Sequence, residues 1–320
     1  MGTPVSRRQL LATGVAGAIA APATVGRAAE GTAESAALSA KPVPPAFRYC
    51  LNTATLRGQK LAITEVVAIA HRAGYQGIEP WIDELDQLVA AGGSLKDLGK
   101  QLADSGLKVE SAIGFAQWCV DDPVERKKGL EEARRTMGLV AEIGGTRIAA
   151  PPAGAREKKI DAGVLGERYA ALLELGERMG VVPIAEIWGP SSTMSRLGEV
   201  AQIAIDSGRA NACILPDIYH LYKGGSGYTG LGLLASHTVP VIHMNDYPAV
   251  PGRSEITDAA RVYPGDGVAP WGEILAALRA MGFAGALSLE LFNRDYWQQD
   301  PLGIALTGLA KMKAVMENIA

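Results

Sequence analysis

The sequence predicts a single parallel (β/α)8 TIM barrel. Three observations carry this α/β assignment. Eight short apolar runs alternate with segments of helical period along the whole chain after residue 46. That stretch, 46–320, has the length of an α/β barrel built as one domain. A doubly wound open sheet would place a glycine-rich phosphate loop after its first strand, and Leu51-Asn52-Thr53-Ala54-Thr55-Leu56-Arg57-Gly58 is not one.

The apolar runs are 47–51, 77–79, 107–113, 146–150, 181–187, 212–216, 239–244 and 286–291. Helical period between them is clearest over 61–73, 124–143, 164–179 and 271–281. In the last of these Trp271, Ile274, Leu275 and Leu278 share one face. Glycines such as Gly74, Gly180 and Gly282 follow the helical segments, where a C-cap calls for positive φ.

The chain begins differently. Ser6-Arg7-Arg8-Gln9-Leu10-Leu11 sets paired arginines before a mild Ala- and Gly-rich apolar stretch, and Gly26-Arg27-Ala28 offers small residues for cleavage. Residues 1–28 therefore read as a twin-arginine signal peptide, with an exported, periplasmic or extracytoplasmic mature chain. Residues 29–45, rich in Ala, Glu, Ser and Thr and stiffened by Pro42, Pro44 and Pro45, read as a flexible linker. The barrel occupies 46–320. Outside the leader no apolar run reaches the ~18 residues of a membrane span.

Composition excludes other classes. At 48% hydrophobic, 20% charged and net charge −3, the chain has no basic excess with which to neutralise nucleic-acid phosphates. Cys50, Cys119 and Cys213 are odd in number and far apart, which makes neither a disulfide framework nor a zinc knuckle. They are expected to pack as small apolar residues.

In a parallel barrel chemistry sits at the carboxyl ends of the strands. The last four runs each close on a side chain able to bind metal: Glu186, Asp217, His243 and Glu290. Three converging carboxylates without a cation repel one another and are costly to desolvate. One imidazole with three carboxylates is a hard, oxygen-rich set suited to one divalent metal, Mn²⁺ first, with Mg²⁺, Co²⁺ or Zn²⁺ as competitors. Trp188 beside Glu186, and Phe115 and Trp118 after the third run, are placed to wall a pocket and stack on a sugar face. Glu79 ends the second run as a further polar group near the site.

These residues resemble the xylose-isomerase-like sugar isomerase/epimerase superfamily, and within it the 2-keto-myo-inositol (inosose) isomerase group. The resemblance covers the whole barrel and is densest near its end. There Ile242-His243-Met244-Asn245-Asp246 leads to Asp258-Ala259-Ala260-Arg261-Val262-Tyr263-Pro264-Gly265-Asp266-Gly267, and then to Ser288-Leu289-Glu290-Leu291-Phe292-Asn293-Arg294-Asp295-Tyr296. Cys50-Leu51-Asn52-Thr53-Ala54-Thr55-Leu56 and Asp217-Ile218-Tyr219-His220 also match. The resemblance implies the same four metal ligands, with His220 and Arg261 as the substrate-contacting pair. It also implies a keto-sugar or cyclitol substrate and a homo-oligomer, although no strip of this sequence identifies an interface. Two branches fit poorly. Gly189-Pro190-Ser191-Ser192 stands where ketose 3-epimerases carry another acid, and four histidines are too few for the three-metal endonuclease of abasic DNA.

The chemistry that follows is proton transfer at a carbon beside a carbonyl, through an enediolate, with Glu186 and Glu290 as acid and base. His220 and Arg261 then bond the oxygen on which charge develops. Return of the proton to a neighbouring carbon gives isomerisation, and return to the other face gives epimerisation. Departure of a β-hydroxyl would make the same site a lyase or dehydratase of a 3-keto sugar, glycoside or inosose. A non-catalytic carbohydrate-binding barrel is the third reading.

Overall fold

The computed structural model describes residues 47–317. The leader and the linker read from the sequence lie outside the described residues. Eight parallel strands follow in order: β1 (Arg48–Asn52), β2 (Gly77–Glu79), β3 (Lys108–Val109), β4 (Arg147–Ala150), β5 (Val182–Glu186), β6 (Ile214–Leu215), β7 (Val241–Met244) and β8 (Ala286–Leu289). They form a five-stranded arc ordered β3-β2-β1-β8-β7 and a three-stranded arc ordered β4-β5-β6. Single bonds join the arcs. His243 N donates to Pro216 O at 3.0 Å, and Ala149 N donates to Ala112 O at 2.8 Å.

Strands β6 and β7 are shorter than the apolar runs that announce them, and prolines account for this. Pro80, Pro216 and Pro240 have no N–H to give, so ladder pairing stops or starts beside β2, β6 and β7. The third run extends to Ile113 in sequence, but only Lys108–Val109 pair as strand. Beyond them Ile113 N still bonds Pro80 O, and Ile82 N bonds Ile113 O.

Helices cover the outside of the barrel. They are α1 (Ile63–Ala73), α2 (Ile82–Ala90), α3 (Leu95–Asp104), α4 (Pro123–Glu142), α5 (Ala162–Met179), α6 (Leu197–Asp206), α7 (Ile218–Gly224), α8 (Trp271–Met281) and α9 (Pro301–Glu317). Their ends follow local chemistry. Asp122 accepts from Val124 N and Glu125 N with Pro123 at the first helical position, which starts α4. Gly282, at φ +65, ends α8. The simple alternation fails twice: two helices separate β2 from β3, and β6 is followed by the seven-residue α7 and two 3-10 turns. No described helix is long and apolar enough to cross a membrane.

The barrel interior below the site is packed with small and medium side chains, Cys50, Ile184, Cys213 and Val241 among them. All three cysteines are buried and free, as their spacing predicts. Burial pushes the Cys50 thiol well up, which suits a packing residue better than a reactive one.

The loop from β7 to α8 is held down by Asp246. Its carboxylate accepts from Gly265 N at 3.0 Å, Ala269 N at 2.9 Å and Trp271 Nε1 at 2.8 Å, and Asp246 pairs antiparallel with Val262. A Cβ at Gly267 would stand 2.2 Å from Asp246 Oδ1, so only glycine allows this approach. The loop thereby folds back over the strand ends and carries Arg261 inward.

Candidate active site

Glu186 is the last residue of β5, and Asp217 lies two positions past β6. His243 lies within β7, and Glu290 follows β8 directly. All four are buried. Around His243 Nδ1 stand Glu290 Oε2 at 3.2 Å, Asp217 Oδ2 at 3.5 Å and Glu186 Oε1 at 3.8 Å. One donor atom each from Asp217, His243 and Glu290 lie within 4.8 Å of one another, a group that could hold a metal ion. Glu186 stands slightly outside that trio.

The imidazole of His243 is oriented from behind. Its Nε2 lies 3.0 Å from Glu79 Oε2, and since a carboxylate accepts, the ring proton belongs on Nε2. The same oxygen accepts from Asn52 Nδ2 at 2.9 Å and Ser288 Oγ at 2.7 Å. Glu79 is fully buried, and His243 with these donors outweighs burial and lowers its pKa. His243 Nδ1 is buried, has no hydrogen-bond partner and faces three carboxylates, so a neutral ring with its proton on Nε2 would turn a lone pair toward them. Burial opposes charge on this ring, but Glu290 and Glu79 hold its pKa well above the ordinary histidine range. Positive charge is required beside Nδ1. The donor set fits a divalent cation there, with the carboxylate behind the histidine that ligating imidazoles characteristically have.

Asp217 links this cluster to α7. Its Oδ1 accepts from His220 N at 2.8 Å and caps the helix, while Oδ2 accepts from Asn245 Nδ2 at 3.1 Å and Arg261 Nη1 at 2.8 Å. Burial favours the neutral acid, but Arg261, His220 and His243 hold Asp217 well below the usual carboxylate range. Arg261 Nη1 also donates to Glu290 Oε2 at 2.8 Å, and Nη2 donates to Asp258 Oδ1 at 2.5 Å and to His220 Nε2 at 3.1 Å. A guanidinium only donates, so His220 accepts through Nε2 and is neutral with its proton on Nδ1. Burial, joined by Arg261, lowers its pKa accordingly. Asn52 Nδ2 donates to Glu290 Oε1 at 3.1 Å, which gives both oxygens of that carboxylate a donor. Glu186 receives no hydrogen bond from the described residues. Burial pushes its pKa up to about 8, against the pull of His243.

A cavity of about 260 Å³ opens onto Glu186, His220, Arg261 and Glu290. That lies just below the range of about 300–1,000 Å³ usual for small-molecule sites. Trp81, Phe115, Trp188 and Phe292 make aromatic walls, with Trp81 and Phe115 centroids 5.3 Å apart and Phe115 and Trp188 6.1 Å apart.

The sequence places Phe115, Trp188, His220 and Arg261 at a pocket, and all four line this one. Trp118 is the correction. It is 1% exposed, donates Nε1 to Pro151 O at 2.9 Å and packs on Tyr169, so it belongs to the core outside the cavity. Sequence reasoning passed over Asn52, Trp81 and Arg156. Asn52 ends β1 as Glu186 ends β5, and extending the search from ionisable to all polar strand ends would have found it.

The fold and this site together define a closed parallel barrel with an imidazole–carboxylate cluster at the carboxyl ends of its strands. The chain belongs to the xylose isomerase-like TIM barrel family, whose profile matches residues 67–315. It is similar to an inosose isomerase of Halalkalibacterium halodurans, 28% identical over 175 residues, which are 53% of this chain and 60% of that protein. It is also similar to a 3-dehydroshikimate dehydratase of Pseudomonas aeruginosa, 25% identical over 268 residues, 81% of this chain and 40% of that one. The match thus spans less than two thirds of either relative. Among solved structures, the IOLI protein with a bound zinc atom superposes with TM-score 0.79 at 22% identity, over 86% of this chain and 99% of that one. This likeness bears out the barrel.

Proposed function

We propose that the protein is a divalent-metal-dependent isomerase or epimerase of a keto-sugar or keto-inositol. The observation that carries this reading is the unpartnered Nδ1 of His243, turned by Glu79 toward Asp217, Glu186 and Glu290. These four residues would hold the ion, Mn²⁺ by preference for a hard oxygen-rich set, with Mg²⁺, Co²⁺ or Zn²⁺ as competitors. The inosose isomerase relative supports the substrate class, and the aromatic walls suit one face of a sugar or cyclitol ring.

A bound divalent cation supplies Lewis-acid polarisation of a carbonyl. The chain's own residues do the rest. Glu186 faces the cavity with no donor on its oxygens, so it is the freer of the two acids to take a proton from carbon. Glu290, which accepts from Arg261 and Asn52, is the second acid–base group and returns a proton on the other side after taking one up from solvent. His220, whose protonated Nδ1 has no partner, meets the oxygen on which negative charge grows, and Arg261, 3.1 Å behind its Nε2, fixes that tautomer and adds its charge. A lyase is the second reading, supported by the similarity to the dehydratase.

Incubation of the Mn²⁺-loaded chain with inososes and keto-sugars in D₂O tests both. Deuterium wash-in with all oxygens retained supports isomerisation or epimerisation, and loss of water supports the lyase. No exchange into any bound keto-polyol would leave a carbohydrate-binding barrel.

The same proposal includes location. Arg7-Arg8 and the apolar stretch after them support a twin-arginine leader over 1–28, a linker over 29–45 and a barrel over 46–320 that folds before export. Arg7→Lys with Arg8→Lys should leave the full-length precursor in the cytoplasm. Normal export of that variant would refute the assignment.

A further inference from the structure

We infer that the outer end of the cavity, at Arg156, is an anion subsite, so that the natural substrate is a keto-polyol bearing a carboxylate or phosphate. This rests on the reading of the cavity as the polyol site. Arg156 lies in the loop between β4 and α5 and lines the cavity. It is exposed, which puts its charge at the rim and not among the buried acids.

Two features make it more than a solvated side chain. The first is that its backbone is fixed. Ser192 N donates to Arg156 O at 2.7 Å, Ser192 Oγ to Glu157 O at 3.0 Å, Thr193 Oγ1 to Lys158 O at 3.0 Å, and Ile160 N to Thr193 Oγ1 at 2.9 Å. The loop after β4 is thereby laced to the loop after β5, which also carries Trp188 and Pro190 of the cavity wall. The second is charge. Arg261, the other cation of the cavity, is committed to Asp217, Asp258 and Glu290. Arg156 has no acidic partner among the described residues, although nearby Lys158 is paired with Asp121.

The deep end and the rim therefore differ in how their positive charge is engaged. Inside, Arg261 and the proposed cation are already shared among Glu186, Asp217 and Glu290, and half-exposed Asp258 also holds Arg261, whereas Arg156 at the rim has no such carboxylate. At the rim a planar fork of donors waits for a carboxylate or phosphate. Between them stand the aromatic walls. A ring of one-sugar size with its ketone inward and an anionic group outward satisfies all three zones.

Quenching of tryptophan fluorescence, with Trp81 and Trp188 in the cavity wall, reads binding without turnover. The Mn²⁺-loaded full chain is titrated with myo-inositol, with quinate, and with myo-inositol 1-phosphate. Charge-assisted bonding predicts that at least one anion binds roughly tenfold or more tightly than the neutral cyclitol, and that salt weakens this preference. Arg156→Gln should abolish the preference, while Lys159→Gln, on the same loop, should keep it. The anion that gains identifies the group as carboxylate or phosphate. Equal or weaker binding of both anions overturns the subsite. So does a preference that survives Arg156→Gln, since the anion is then held elsewhere. Deuterium exchange is scored separately: a chain that exchanges no deuterium yet prefers an anion through Arg156 loses the proposed reaction and keeps the subsite.

Discussion

Replacing Glu79 by glutamine isolates the charge behind the metal-site histidine. Glu79 Oε2 takes three donors, from His243, Asn52 and Ser288, whereas Oε1 is buried with no partner. An amide can set its oxygen where Oε2 stands and its nitrogen where Oε1 stands, so the three bonds survive while the negative charge is lost, the new N–H groups finding no acceptor where Oε1 had no partner. A hydrogen bond to a charged group contributes about 1.5–3 kcal/mol against about 0.5–1.5 for a neutral one, a difference of roughly 1–1.5 kcal/mol. At about 1.4 kcal/mol per factor of ten, metal affinity should fall roughly tenfold, the lower end of what such supporting carboxylates contribute. Competition for Mn²⁺ against a fluorescent chelator measures this directly, with far-UV circular dichroism to show an intact barrel. An affinity within about twofold of the parent would refute the argument that Glu79 sets the tautomer and basicity of His243.

Three further outcomes follow from the same geometry. His243→Ala should abolish stoichiometric Mn²⁺ by elemental analysis and also abolish thermal stabilisation by added metal, which for the parent is about 2.7 kcal/mol at a hundredfold excess over Kd. Glu290→Gln keeps an acceptor for Asn52 but loses the exchangeable carboxylate, so kcat should drop by roughly 10²-fold or more with little change in substrate binding. Near-normal turnover would leave Glu186 to move the proton alone. Trp118→Phe strands Pro151 O inside the core and should cost about 1–3 kcal/mol in urea unfolding, with KM unchanged because the ring is off the cavity.

How much of this was legible depends on whether a residue's position follows from strand period or from loop path. Glu186, Asp217, His243 and Glu290 could be read because each closes an apolar run, and a parallel barrel brings the ends of its strands to one rim. Register then does what composition cannot show. Asn52 pairs beside Glu79 and His243 beside Ser288, which turns two inconspicuous polar residues into the support behind the imidazole. The lengths of β6 and β7 were overread where Pro216 and Pro240 sat in the apolar runs, since hydropathy carries no information about a missing N–H. Loops were the harder case. Phe115 and Trp118 lie three residues apart after β3, yet one lines the cavity and the other packs on Tyr169. The turn between them decides which way each ring faces, and that turn is held by Trp118 N on Ala116 O. Arg156 is hidden for the same reason. Its place at the rim comes from bonds between two loops more than thirty residues apart, of which neither segment alone carries a trace.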